Sequence, residues 1–206
     1  MNTGKIEHIK DLGLFLDVRT RTAFETIVDF RTIKMRGKEV RAPRLTAEFA
    51  SGDAKYKFPG SSNLVFDFED YLTDWFEVDG RFYDNNDVNF ASEFIGWHVD
   101  TIEREFGVKC NHCIVTLYRD GDDYIGYHSD KNIREVGVYT FSYGATRDIL
   151  FKNKATKEVK RFTLQNGDLC YFDKAANDQY KHSIPKTKKL PKNILGQRIS
   201  LTFRKI

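Results

Sequence analysis

The chain has 206 residues, of which 40% are hydrophobic, 14% aromatic and 31% charged, with a net charge of +3. This composition suits one globular domain of ordinary size and excludes a disordered chain. No apolar run approaches the roughly 20 residues a membrane helix needs. The opening "MNTGKIEHIKDLG" also lacks the apolar stretch of a signal peptide, so a monomer of the cytoplasm or nucleus, away from membranes, is expected.

In chain order, "TRTAFETIVDF" (20–30) reads as a short amphipathic helix with Thr20 or Thr22 near its N-cap. The stretch "MRGKEVRAPRLTAEFASGDAKYKFPGSSN" is rich in Gly, Pro, basic and aromatic residues, and predicts hairpins and loops standing off a core. In "NFASEFIGWHVDTIEREFG" the residues Phe94, Trp97, Val99, Ile102 and Phe106 approximate a 3.6-residue period. That spacing predicts a helix capped near Ser92 and ended by Gly107. From Cys113 the texture changes to short β-type runs between turns, "CIVTLYR", "VGVYTFSYG", "RDILFKN", "KEVKRFTLQ", "GDLCYFD" and "QRISLTFRK", spaced as in an all-β sandwich or barrel.

The three cysteines cannot all pair with one another, which argues against a secreted disulfide framework. "CNHC" (110–113) offers part of a zinc site, but a second ligand pair at suitable spacing is missing; buried free thiols at a helix-to-strand transition are the favoured reading. The segment from Lys174 onward is rich in Lys and Arg against a single acid, Asp178. Such a stretch fits either a phosphate-facing surface or a solvated one.

His128 and Asp130 in "GYHSDKN" are separated by one residue, so on an extended strand both point to one face. His182 in "YKHSIP" lies at the end of a β run, where a neighbouring antiparallel strand could bring it to the same spot. Two histidines and a carboxylate on one side of an ion form the facial triad of non-haem Fe(II) oxygenases, which leaves positions open for cosubstrate and O2. In the final strand, Arg198, Ser200, Thr202 and Arg204 share one face, and Ile199, Leu201 and Phe203 the other. Arginines facing a sandwich interior require anions to meet them there. The outer face of an edge strand is the alternative placement.

His128, Asp130 and His182, followed by Arg198 and Arg204 with five residues between them, resemble the AlkB family of Fe(II)/2-oxoglutarate dioxygenases. The likeness runs from about Ile33 to Ile206 through "PRLTAEF", "YRDG", "FSYGATRDILFK", "HSIP" and "RISLTFRKI", and looks nearest to the homologues that repair alkylated double-stranded DNA. It implies an α+β, mainly β fold, a double-stranded β-helix (jelly roll) with supporting helices. One domain, 1–206, would comprise N-terminal helices and a nucleotide-recognition lid (1–110) and a catalytic core (111–206). His128, Asp130 and His182 would hold Fe(II), and 2-oxoglutarate would be bound by Tyr118, Arg198, Thr202, Arg204 and Thr116, with O2 as the second cosubstrate. The implied reaction hydroxylates an N-linked methyl of a base, yielding succinate, CO2 and formaldehyde.

In the implied lid, Tyr56 and Phe58 match the family's aromatic pair, so that Phe58 would stack on an extruded base, while Arg44 and the basic C-terminal segment would be strand contacts. Three departures bear on cosubstrate or substrate. Thr116 stands where the family has asparagine, Lys131 and Asn132 where it is often acidic, and Arg36 where an aromatic wedge enters duplex DNA. DNA is the favoured partner. RNA or modified-base oxidation, protein hydroxylation and a non-catalytic nucleic-acid-binding module are the alternatives.

Overall fold

Which residues form the central strands follows from their two-sided burial: β-branched, aromatic and hydroxyl residues alternate so that one face meets helices and the other a cavity. The computed structural model describes residues 4–12, 14–28, 32–35, 38–52, 65–67, 76–78, 81–83, 85–131, 133, 136–188, 190 and 196–206. In chain order the elements are β1 (Ile6–Ile9), α1 (Val18–Ile27), β2 (Thr32–Met35), β3 (Lys38–Arg41), β4 (Leu45–Ala50), β5 (Val65–Asp67), β6 (Phe76–Val78), β7 (Arg81–Tyr83), α2 (Asn85–Phe106), β8 (His112–Tyr118), β9 (Ile125–His128), β10 (Val138–Gly144), β11 (Arg147–Asn153), β12 (Val159–Leu164), β13 (Leu169–Phe172), α3 (Lys174–Gln179), β14 (Tyr180–Ile184) and β15 (Arg198–Arg204).

A major sheet of order β1-β13-β10-β15-β8-β4-β5 faces a minor sheet of order β12-β11-β14-β9, while β2-β3 and β6-β7 form separate hairpins. Pairing is antiparallel apart from β4 with β5. This arrangement fits the sandwich or barrel expected from the strand spacing and the jelly roll implied by the family resemblance.

The register of β15 decides which residues see the cavity. Ile199, Leu201 and Phe203 pair with Tyr143, Phe141 and Tyr139 on one side and with Leu117, Val115 and Cys113 on the other. That face packs against Phe24 and Ile27 of α1 and Phe94, Ile95, Val99 and Ile102 of α2. The opposite face carries Arg198, Ser200, Thr202 and Arg204, and turns toward the second core, built from Ile149, Phe151, Phe172 and Ile184. Arg198 and Arg204 are therefore interior, at 1% and 5% exposure, and the edge-strand alternative is excluded.

Several local expectations need correction. Helix α1 starts at Val18 because Asp17, upstream of both threonines considered, accepts hydrogen bonds from the Thr20 backbone N–H (2.9 Å) and hydroxyl (2.8 Å). Replacing Asp17 by Ala is expected to lower stability by about 1 kcal/mol, read as a reduced midpoint in urea without a change in slope.

Helix α2 begins at Asn85, so Ser92 is a buried interior residue and not the cap. Trp97 faces solvent at 61% exposure, and the face actually buried includes His98. The His98 ring donates from Nδ1 to the Phe94 carbonyl (2.7 Å) and accepts the Tyr143 hydroxyl at Nε2, while burial pushes its pKa down to about 4. Gly107 ends the helix as expected, with φ +69°.

"PRLTAEF" stands off nothing: Leu45–Ala50 is a largely buried strand paired with β8. Together with β1 on β13, it adds N-terminal strands to the major sheet.

Candidate metal and cosubstrate site

His128 closes β9 and His182 lies in β14, and the two are direct antiparallel partners with ring centroids 4.2 Å apart. Asp130 sits just past the end of β9, so its approach is not made by strand alternation as the sequence suggested. Its backbone N–H donates to Asn177 Oδ1 (2.9 Å), and Asn177 Nδ2 donates back to the Asp130 carbonyl (3.1 Å). Ser129 Oγ adds a bond to the Tyr180 carbonyl (3.1 Å). Asn177 lies on α3, whose N-cap Asp173 accepts from the Ala176 N–H (2.7 Å). Sequence reasoning missed this helix, although an aspartate before "KAANDQ" is a readable cap signal.

Potential ligand atoms of His128, Asp130 and His182 all lie within 4.8 Å of one another. The Asp130 carboxylate is 3.5 Å from His128 Nε2, 3.8 Å from His182 Nε2 and 3.9 Å from an Arg204 Nη. Burial opposes its ionisation, but the His128 contact and the Arg204 charge prevail and hold it well below the usual carboxylate range. Burial also pushes His182 down to about 4, so its imidazole is neutral at pH 7, the form in which histidine ligates a metal. His128 Nδ1–H donates to the Gly126 carbonyl (3.0 Å), which leaves Nε2 free to coordinate.

The triad opens on a cavity of about 120 Å³ between the two sheets. Thr116, Tyr118, Arg198, Thr202 and Arg204, drawn from β8 and β15, all line it. Arg198 Nε donates to Ser142 Oγ (2.8 Å), while both terminal nitrogens lack a hydrogen-bond partner among the described residues, as does Arg204 Nε. Burial pulls Arg198 down to about 10. Orphaned guanidinium N–H groups at both ends of an interior cavity are what a dicarboxylate would satisfy, since each fork matches a carboxylate in planar geometry. The donor set and these groups therefore fit Fe(II) and 2-oxoglutarate.

Arg44 is half-buried and lines the same cavity. Lys131 is exposed beside Asp130. Arg36, Tyr56, Phe58 and Asn132 lie outside the described residues. Cys110 and Cys113 are buried, and burial raises both thiols, Cys110 to about 12. Among the described residues, the His128, Asp130 and His182 group is the one with metal-ligand spacing, and no helix is long and apolar enough to cross a membrane.

Residues 95–204 match the profile of the 2OG-Fe(II) oxygenase superfamily, a span that contains the triad and both arginines. The chain belongs to that superfamily. Within it, the chain is 34% identical over 119 residues to the DNA oxidative demethylase ALKBH2 of Bos taurus, covering 52% of this chain and 41% of that protein. It is 36% identical over 112 residues to the Mus musculus ALKBH2, covering 48% and 45%. The matched region thus spans less than half the length of these relatives. A solved structure of OsALKBH1 superposes over 100% of both chains with a TM-score of 0.54 at 14% identity, which establishes the shared fold. The resemblance to AlkB homologues read from the sequence is borne out, and the superfamily's iron and 2-oxoglutarate are the cofactors to which the cavity is fitted.

Proposed function

We propose that the protein is an Fe(II)- and 2-oxoglutarate-dependent oxidative demethylase of alkylated bases in nucleic acid, with DNA as the preferred substrate. The observation that carries this reading is the opening of the His128, Asp130 and His182 cluster onto the cavity where the Arg198 guanidinium ends lack partners. His128, Asp130 and His182 hold the metal. Arg198 and Tyr118 take the far carboxylate of the cosubstrate, while Arg204, Thr202 and Thr116 orient the metal-proximal end. When bound, iron and 2-oxoglutarate supply an oxidant that puts one atom of O2 on an N-linked methyl and the other into succinate, with loss of CO2. The resulting carbinol releases formaldehyde and the restored base.

The protein's own contribution is geometry. Charge-assisted bonds fix the cosubstrate, and the apolar residues Ile125, Ile149 and Phe172 around it limit water. The similarity to proteins described as DNA oxidative demethylases supports a nucleic-acid target. So does the basic C-terminal segment. Arg36, Arg44, Tyr56, Phe58, Lys131 and Asn132 are the proposed substrate contacts. A base must leave the duplex stack to reach such a cavity, and Phe58 is the stacking partner.

The deciding experiment incubates the protein with Fe(II) and 2-oxoglutarate against 1-methyladenine, 3-methylcytosine, 6-methyladenine and 5-methylcytosine, in single- and double-stranded DNA and RNA. Formaldehyde and the unmodified base are followed by mass spectrometry. Formaldehyde release from methylated DNA is expected. Succinate that rises equally with and without every oligonucleotide would remove the nucleic-acid assignment, and a preference for RNA would move it to that substrate. Phe58→Ala is expected to weaken binding of the preferred oligonucleotide by about 1–3 kcal/mol, measured by fluorescence anisotropy.

A further inference from the structure

Arg147 opens β11 in the minor sheet and is 2% exposed. Its guanidinium hydrogen-bonds to backbone carbonyls, and the carboxylates of Asp123, Asp120 and Asp148 favour its charge. One terminal nitrogen donates to the Asp120 carbonyl (3.2 Å), and the other to the carbonyls of Asp123 (2.8 Å) and Pro185 (2.7 Å). Those carbonyls belong to two segments that matter to the site. The 120–123 turn follows Tyr118 after one residue, Arg119, and Pro185 follows β14, which carries His182. The same segments are joined by the Thr187 N–H to the Gly121 carbonyl (2.8 Å), so tightly that a Cβ on Gly121 would lie 1.8 Å from the Thr187 oxygen.

The Tyr118 ring completes the arrangement. The guanidinium carbon of Arg147 stands 5.3 Å from the ring centroid and that of Arg198 stands 5.2 Å from it. Neutral donors could satisfy three carbonyls, yet here a full charge is buried beside a second guanidinium whose terminal nitrogens lack partners among the described residues. The carboxylates of Asp123, Asp120 and Asp148 favour the Arg147 charge, while Arg147 in turn opposes the charge of Arg198, whose own surroundings leave room for an anion. Tyr118 and Arg198 line the cavity, and Arg147 stands against the Tyr118 ring outside that lining.

We infer that Arg147 is a positioning residue for the far carboxylate of the cosubstrate: it locks Tyr118 and the turn behind it against β14, and adds positive potential where that carboxylate binds. The inference rests on the cosubstrate reading above. It assigns to the "ATRDI" arginine a role that requires no contact with the ligand.

The test measures 2-oxoglutarate affinity by calorimetry on Mn(II)-loaded protein, comparing wild type with Arg147→Lys and Arg147→Gln. Mn(II) affinity and binding of 2-oxobutyrate, which lacks the far carboxylate, are measured in parallel. Outer residues that orient a binding group typically change affinity about 10- to 100-fold. A weakening of about 10-fold or more is expected for 2-oxoglutarate in Arg147→Gln and a smaller loss in Arg147→Lys, with Mn(II) and 2-oxobutyrate affinities unchanged. Unaltered 2-oxoglutarate affinity in the variants overturns the inference. An equal loss for 2-oxobutyrate or Mn(II) also overturns it, because that would show general damage. Should Arg147→Gln fail to fold, Arg147→Lys decides by the same criteria. Wild-type protein that binds no 2-oxoglutarate with Mn(II) present would remove the cosubstrate reading itself, a result distinct from any variant effect.

Discussion

Replacing Asp130 by Ala is expected to bring formaldehyde release below detection while leaving oligonucleotide affinity close to that of the wild type. The carboxylate is the one anion among the three proposed ligands. Because its neighbours keep it ionised despite burial, it is charged at any pH at which the protein would be assayed. Losing residues that merely orient a metal ligand already costs about 10- to 100-fold in metal affinity, so losing a ligand should cost at least that much, as read by Mn(II) titration. The backbone at this position should survive. Asn177 grips the N–H and carbonyl of residue 130, not its side chain, and both bonds remain in the alanine variant. Retained secondary structure with lost Mn(II) binding would therefore locate the defect at the metal. Turnover at the wild-type rate would take Asp130 out of the triad.

What the sequence made legible was set by periodicity. In β15 the alternation of Arg198, Ser200, Thr202 and Arg204 with Ile199, Leu201 and Phe203 carries two kinds of information at once, the helix-facing core and the cavity lining. Where a segment has one strong periodicity, as in β11, its bounds as read, "RDILFKN", are the bounds observed. The failures have the opposite cause. The expectation of hairpins and loops standing off a core misses that Leu45–Ala50 is a buried strand, because Pro43 and neighbouring basic residues obscure it and its partners, from His112 to Leu117, are distant in the chain. Trp97 looked like core by spacing alone. The helix starts earlier than read and turns His98 inward, where Tyr143 and the Phe94 carbonyl satisfy the ring. Asp130 reached the histidines by a different route from the one inferred: a helix-borne amide, Asn177, fixes it from 47 positions along the chain. Non-local hydrogen bonds of this kind leave no local signature. Neither does Arg147, whose three acceptors are backbone carbonyls that any sequence would supply.

Arg198→Met is expected to change stability and cosubstrate binding in opposite directions. In the protein alone, Arg198 is a buried cation at 1% exposure, with a bond to Ser142 Oγ, the Tyr118 ring centroid 5.2 Å from its guanidinium carbon, and two terminal nitrogens without a well-formed hydrogen bond among the described residues. A buried donor left unsatisfied costs about 1–3 kcal/mol, and methionine is flexible and fills a comparable path without any charge. The variant without ligand should thus be at least as stable as the wild type, and up to about 3 kcal/mol more stable, by urea unfolding. With 2-oxoglutarate the comparison reverses, because truncating one partner of a buried, hydrogen-bonded charge pair costs about 2–5 kcal/mol. That corresponds to a Kd weaker by roughly 30-fold to several thousand-fold, measured by calorimetry on Mn(II)-loaded protein. The two signs together discriminate between roles. A purely structural arginine would lose stability on replacement and leave the ligand affinity of the surviving folded molecules nearly unchanged. An arginine reserved for an anion behaves the other way, since its poor hydrogen bonding before binding becomes the source of affinity after it.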